Sequence, residues 1–345
     1  MPPEVVVLKP AVTVVVPVLF AIYIPTCAPP IRPTVPPANV NMAELWQDPK
    51  DLASRNLYDG AWGKDRAPDP TVVYHYVKRK QEGTNPGITV VDPKNHEWHV
   101  KQPPKNNQGA EGPIEVTLSR ILWAVGYHQP PEYFLPTFTL ADEVGGQPGE
   151  TSYTTHTEPG GRFRLEDGSL KKLGIWSWQQ NPFVGSEPYQ GLLVILMIFN
   201  SSDIKNDNNT LYEVKKPLDP NDDVKTWYVV RDLGTALGET GRLTPHRGDP
   251  DLFDRHKFVT GIDHGFVKFE YHGWHQDLFK GRITVADVHW ACELLSRLSD
   301  AQWADAFRAG GYEPALAQRF IARTQQKIRE GLGLPQTAIR VTERH

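Results

Sequence analysis

The stretch 191-GLLVILMIFNSSDIKNDNNTLYEV-214 sets an apolar segment directly against a polar loop. Residues 191–199 carry no charged or hydrogen-bonding side chain, and Asp203, Lys205, Asn206, Asp207, Asn208 and Asn209 follow almost at once. A segment apolar on every side reads as a buried helix. A buried helix holds the loop at its end in a narrow range of geometry, which a chemical site needs. The loop itself has the form D-x-K-x-x-N, running from Asp203 through Lys205 to Asn208. Further along, 226-TWYVVRDLG-234 reads as a strand ending in Asp232-Leu233-Gly234.

Each of these residues suits one job in phosphoryl transfer, where the protein mainly positions groups and neutralises charge. Asp203 can orient an acceptor hydroxyl and take its proton. Lys205 can meet the migrating phosphate. Asn208 and Asp232 offer the oxygen atoms that Mg²⁺, a hard cation, requires. Gly234 lets the chain turn away close to the phosphates.

The surrounding pattern is strand-rich first and helix-rich second. Residues 71–80, 88–92, 97–102, 133–140 and 161–166 read as strands, with 92-DPKNH-96 as a hairpin turn. In 97-EWHVKQ-102, Trp98 and Val100 share one face and His99 and Lys101 the other. Residues 114–127 read as a helix with Glu115 in its first turn, and 83-GTNPG-87 is turn chemistry. After residue 234 the pattern is mostly helical, over 284–300, 300–311 and 313–332, with Gly310, Gly311 and Gly331 as stops. The expected fold class is α+β, with two lobes, a β-rich N-lobe and a helical C-lobe, and a cleft between them.

Together the D-x-K-x-x-N loop and the Asp-Leu-Gly strand end resemble the catalytic and metal loops of the protein-kinase-like fold. The order around them matches as well: a strand lysine, Lys101, comes upstream, followed by a helix glutamate, Glu115. In kinases such a lysine holds the α- and β-phosphates of ATP and pairs with that glutamate. The resemblance implies ATP and Mg²⁺ as cofactors. It implies Lys101 and Glu115 for nucleotide binding, Asp203 as catalytic base, Lys205 on the γ-phosphate, and Asn208 and Asp232 on the metal. The chain departs from ordinary protein kinases in several places. No G-x-G-x-x-G precedes Lys101, Ser201 and Ser202 replace the His-Arg before the catalytic aspartate, Leu233 replaces Phe after the metal aspartate, and no A-P-E follows. The resemblance is therefore to atypical members, HipA-like or lipid-kinase-like. The segments 118-LSRILWAVGYHQP-130, 174-GIWSWQQNPFVG-185 and 228-YVVRDLG-234 resemble a bacterial family with this core, over roughly residues 45–330.

Composition narrows the function classes. With a net charge of −4 the chain has no basic excess, which argues against a nucleic-acid binder. Its two cysteines, Cys27 and Cys292, make neither a disulfide framework nor a zinc site. Residues 11-AVTVVVPVLFAIYI-24 are an apolar run too short to span a bilayer easily, which suits a signal segment or an anchor. A Pro-rich linker, 28-APPIRPTVPPANV-40, follows. The expected organisation is a signal or anchor segment with linker over 1–40, an N-lobe over 41–172 and a C-lobe over 173–345. The expected location is the cell envelope, exported or membrane-anchored through the N-terminus, with the cytoplasm as the alternative. The expected activity is ATP- and Mg²⁺-dependent phosphotransfer to an unknown protein or small-molecule acceptor. The rival reading is a pseudokinase-like binding or scaffold protein at the envelope.

Overall fold

Alternating apolar and polar residues build the first half of the molecule. The computed structural model describes residues 40–79, 86–103, 111–144, 152–219, 222–242 and 246–335. The apolar run at 11–24, Cys27, nearly all of the Pro-rich linker and most of 83-GTNPG-87 lie outside them. Strands β1 (Val73–Arg79), β2 (Gly87–Val91), β3 (Glu97–Lys101), β4 (Glu132–Val144) and β5 (Ser152–Glu166) form a closed barrel in the order β1-β2-β3-β5-β4. Parallel pairing of β1 with β4 closes it. The β2–β3 hairpin turns as expected: Asp92 Oδ1 accepts from the backbone N–H groups of Lys94 and His96, both at 2.9 Å, and Asn95 takes a left-handed conformation. Inward residues such as Tyr74, Val90, Trp98, Val100, Phe138 and Phe163 are buried and fill the barrel.

Strands β4 and β5 run well beyond the expected pieces. Their outer ends pair from Thr139–Thr157 to Val144–Ser152, and residues 153–157 are exposed. A strand that is wet on both faces carries no apolar alternation, so the Thr-rich segment of β5 gave no strand signal. Two more strands were not foreseen, and they join the one expected from residue 226. β6 (Leu170–Gly174), β7 (Asn209–Val214) and β8 (Thr226–Val230) form a sheet in the order β6-β7-β8. Tyr212, Val214, Trp227 and Val229 from this sheet join the barrel's apolar core. The polar loop after residue 200 thus ends in a strand.

Helix α1 (Glu111–Ala124) links β3 to β4 and starts earlier than expected, so Glu111, not Glu115, occupies its first turn. Helix α2 (Glu187–Ile198) is buried over all of Pro188–Ile198, as its uniform apolarity requires. Next come α3 (Pro250–Arg255), a hairpin of β9 (Val259–Asp263) and β10 (Phe266–Phe269), and α4 (Val285–Ser296), α5 (Asp300–Ala309) and α6 (Pro314–Leu332). The hairpin adds a strand pair to a second half expected to be mostly helical: His264 and Gly265 both take positive φ, as a two-residue hairpin turn demands. Capping boxes at Thr284/Asp287 and Ser299/Gln302 start α4 and α5. Gly310 caps α5 as expected, whereas α6 ends on Gly333 and Gly331 lies inside it against Cys292.

A second core gathers α1, α2, α4, α5 and α6, with Trp176, Trp178, Val230 and Leu233. Helix α1 therefore contributes Ile114, Leu118, Ile121 and Leu122 to the helical core and not to the barrel core. All described residues lie in one compact unit, and the expected boundary after residue 172 falls inside β6. No helix among the described residues is long and apolar enough to cross a membrane.

Candidate active site

Lys101 ends β3 on the face opposite Trp98 and Val100, and this places its ammonium among carboxylates. Lys101 Nζ lies 2.7 Å from Glu115 Oε1, 3.2 Å from Glu111 Oε2 and 3.4 Å from Asp232 Oδ1. Glu115, in the second turn of α1, is 2% exposed, and its other oxygen accepts from Arg162 Nε at 3.0 Å. Arg162 also lies 3.6 Å from the buried Glu132, and Arg247 pairs with Glu111. Lys101 and Glu115 thus meet as the sequence implies, and they bring Asp232 with them.

Asp232 sits just beyond β8 in a left-handed backbone conformation, φ 54°. That conformation is strained for a residue with a Cβ and marks a site where the structure fixes a side chain's aim. Burial opposes its charge, but Lys101, Arg231 and Arg162 outweigh burial and hold the carboxyl well below the usual range. Asp232 is therefore ionised at any physiological pH. The expected role of Gly234 needs correction: the positive φ belongs to Asp232, and Gly234 permits close approach to α1. A Cβ at Gly234 would stand 2.9 Å from Glu111 Cβ.

The other loop is anchored from beneath. Helix α2 ends with Asn200 left-handed, Ser201 N–H donating to the Leu196 carbonyl at 2.8 Å and Asn200 N–H to the Met197 carbonyl at 3.1 Å. This is a Schellman stop, and Asn replaces the usual Gly. Lys327 of α6, fully buried, donates to the Ile198 carbonyl at 3.0 Å and to Asn200 Oδ1 at 2.8 Å. Three bonds then join the two loops: Asn200 Nδ2 to the Gly238 carbonyl at 2.6 Å, Leu237 N–H to the Phe199 carbonyl at 2.8 Å, and Ser202 N–H to the Thr235 carbonyl at 3.1 Å.

Asp203 and Lys205 form an ion pair at 2.8 Å, and Lys205 Nζ lies over the Trp274 ring, 4.9 Å from its centroid. Asn208 connects this pair to the other group. Its side-chain amide donates to the Asp203 carbonyl, and its own carbonyl accepts from Arg231 N–H at 3.0 Å. The six expected residues therefore fall into two clusters, Lys101–Glu115–Asp232 and Asp203–Lys205, with Asn208 between them. Trp176 and Trp178, flanking the site, are buried core residues.

The donor set fits Mg²⁺. Among the described residues no three His, Cys, Asp or Glu side chains gather as a closed metal cage. Mg²⁺ needs none, since it commonly takes one or two protein oxygens and completes its shell with phosphate and water. An ionised Asp232 and the amide oxygen of Asn208 are the oxygen types such a pair needs.

A cleft of about 540 Å³ opens beside this network, with Lys101 and Asp232 in its wall. Its other polar residues were not singled out from the sequence, although a signal was present. In 161-GRFRLE-166, Phe163 and Leu165 are buried, so Arg162 and Arg164 share the opposite face. Glu111 and Arg247 gave no such signal, because only the return of a distant loop brings them together.

No protein-family model matches the chain, and no curated protein matches it. Among solved structures the chain is similar to that of a Helicobacter pylori proinflammatory kinase, CtkA, at 13% identity and a TM-score of 0.33. That similarity covers 76% of this chain and 98% of the other.

Proposed function

We propose that the chain is an ATP- and Mg²⁺-dependent phosphotransferase of atypical kinase type. In this reading the barrel and the β6-β7-β8 sheet form one lobe, and the helical core forms the other. One observation carries it: a strand lysine is ion-paired to a helix glutamate, and an ionised aspartate far along the chain lies 3.4 Å from the same lysine in one cleft. That is the arrangement in which kinases hold phosphates and metal.

Lys101, fixed by Glu115, binds the α- and β-phosphates. Asp232 and Asn208 hold Mg²⁺, which when bound neutralises charge on the phosphates. Asp203 orients the hydroxyl of a protein or small-molecule acceptor. The acceptor oxygen bonds to the γ-phosphorus as the bond from that phosphorus to the bridging oxygen breaks. The hydroxyl proton passes to Asp203, and ADP leaves. Lys205 faces the charge on the moving phosphoryl group, and its pairing with Asp203 keeps it close. The bonds joining the two loops keep Asp203 and Asp232 in fixed relation, which phosphoryl transfer needs.

The test is incubation of the full chain with γ-labelled ATP and Mg²⁺, reading label on protein and released phosphate. The account expects turnover in the parent, loss of transfer with retained nucleotide binding in Asp203→Asn, and loss of both in Asp232→Asn. Binding without any turnover in the parent refutes the phosphotransferase and leaves a nucleotide-binding scaffold.

A further inference from the structure

The wall of the cleft is unusually cationic, and the pairing of strands explains why. Along β3 and β5, Lys101 stands opposite Arg162 and His99 opposite Arg164. All four face away from the barrel core that buries Trp98, Val100, Phe163 and Leu165. Arg231 joins them from the segment before Asp232, and Lys78 and Arg79 of β1 extend the same surface. Six of the lining residues are Lys or Arg and one, Asp232, is acidic.

Carboxylates match only part of this charge. Lys101 and Arg162 share Glu111, Glu115, Glu132 and Asp232. Arg164 meets Glu166 through Nε alone, at 3.1 Å, and Arg231 donates through Nη1 to the hydroxyls of Thr210 and Tyr212, both at 3.3 Å. Arg164 Nη1 and Arg231 Nε are buried and make no hydrogen bond. Burial, Arg231 and Arg162 all weaken the hold of Arg164 on its proton, a sign of like charges crowded together. Buried charged donors left in this state are costly, and an anion with several oxygens in the cleft offsets the crowded positive charge around them.

The same wall offers little to a nucleobase. No Phe, Tyr or Trp side chain lines the cleft among the described residues, and its large aliphatic residues, Ile88 and Val100, are turned into the barrel core. Both nitrogens of His99 are engaged, Nδ1 accepting from Arg164 Nη2 and Nε2 donating to Glu97, each at 3.2 Å. Ligand pockets usually hold a flat ring against aromatic or broad apolar surfaces, and no Phe, Tyr or Trp among the described lining residues supplies one here.

We propose that the cleft recognises a polyphosphate chain and is largely indifferent to the base attached to it. This rests on the reading of the cleft as a Mg²⁺-triphosphate site and narrows its ligand class. Nucleoside triphosphates of either purine, and inorganic tripolyphosphate, bind alike.

The experiment titrates the full chain, with Mg²⁺ present, against ATP, GTP, inorganic tripolyphosphate and adenosine. The expected dissociation constants of the three triphosphates agree within about threefold, and adenosine does not bind. ATP binding more than about tenfold tighter than both others, or binding of adenosine alone, overturns the proposal. In Arg164→Gln the ligand-free melting temperature is expected to hold while tripolyphosphate binds about tenfold more weakly. A lowered melting temperature with unchanged affinity would make Arg164 merely structural and contradict the proposal, as would an absence of binding by every ligand. The two readings fail separately. Tripolyphosphate binding without label transfer sinks the phosphotransferase alone, and base-selective binding with transfer sinks only the polyphosphate reading.

Discussion

Lys101 carries one positive charge against three carboxylates, and this sets what its substitutions do. In Lys101→Met the carboxylates of Glu115, Glu111 and Asp232 lose their common counter-ion. Triphosphate binding is expected to vanish, and stability at neutral pH to fall, since like charges in one site resist ionisation together. Glu115→Ala strips the nearly buried Lys101 and Arg162 of a shared partner, and breaking such a network costs about 3–5 kcal/mol in chemical denaturation. A loss under about 1 kcal/mol would mean that Glu111 and Glu132 suffice to hold the cations. The pairing of Lys101 with Glu115 was legible because a strand's alternation and a helix's start are local patterns. Glu111, Arg247 and the left-handed Asp232 were not, because each depends on a distant segment coming back.

At the scale of elements, helix α2 acts as a rigid post under the loop that carries Asp203 and Lys205. Its apolar face-all-round pattern was readable, and Pro188–Ile198 is buried accordingly. Leu193→Ala should cost about 2–5 kcal/mol through the cavity it leaves. The device at its end was hidden: Lys327 reaches Asn200 and Ile198 across 127 residues or more of sequence. In Lys327→Met the Asn200 and Ile198 acceptors lose their donor. The loop geometry should loosen, so turnover with γ-labelled ATP drops further than triphosphate affinity does. Equal losses in both would place Lys327 with general stability and not with the loop. Sheets were harder to read than helices here. β6 and the outer end of β5 are largely exposed, and β9 buries no residue fully, which removes the period-two apolar signal.

Across the whole molecule, two buried imidazoles set how stability responds to acid. His128 stacks on Trp227 at 4.4 Å and donates to the Ala43 carbonyl at 2.6 Å. Burial pushes its pKa down to about 4, and burial with Lys327 does the same to His256. Unfolded, each takes a proton near pH 6.5, so between about pH 4 and 6.5 the unfolded chain binds more protons. Stability therefore rises with pH through this window and is lost as pH falls through it, by about 3 kcal/mol from His128 alone. Denaturation at pH 7 and at pH 4.5 should show this fall in the parent and a smaller one in His128→Asn. Equal falls would move the cause elsewhere. The broad α+β character and the order of strand lysine, helix glutamate and two acidic loops were visible in the sequence. The barrel's closure and the membership of α1 in the helical core were not, since both are decided by packing between distant segments.

Everything proposed for the cleft requires that Lys101, Glu115 and Asp232 make a Mg²⁺-triphosphate site. The most direct test is the melting temperature of the full chain with saturating ATP, with and without Mg²⁺, beside Asp232→Asn. At 100 times its dissociation constant a ligand adds about 2.7 kcal/mol. A Mg²⁺-dependent rise in the parent that is absent in Asp232→Asn is the predicted result. No rise in the parent, or the same rise in both proteins, would contradict the claim.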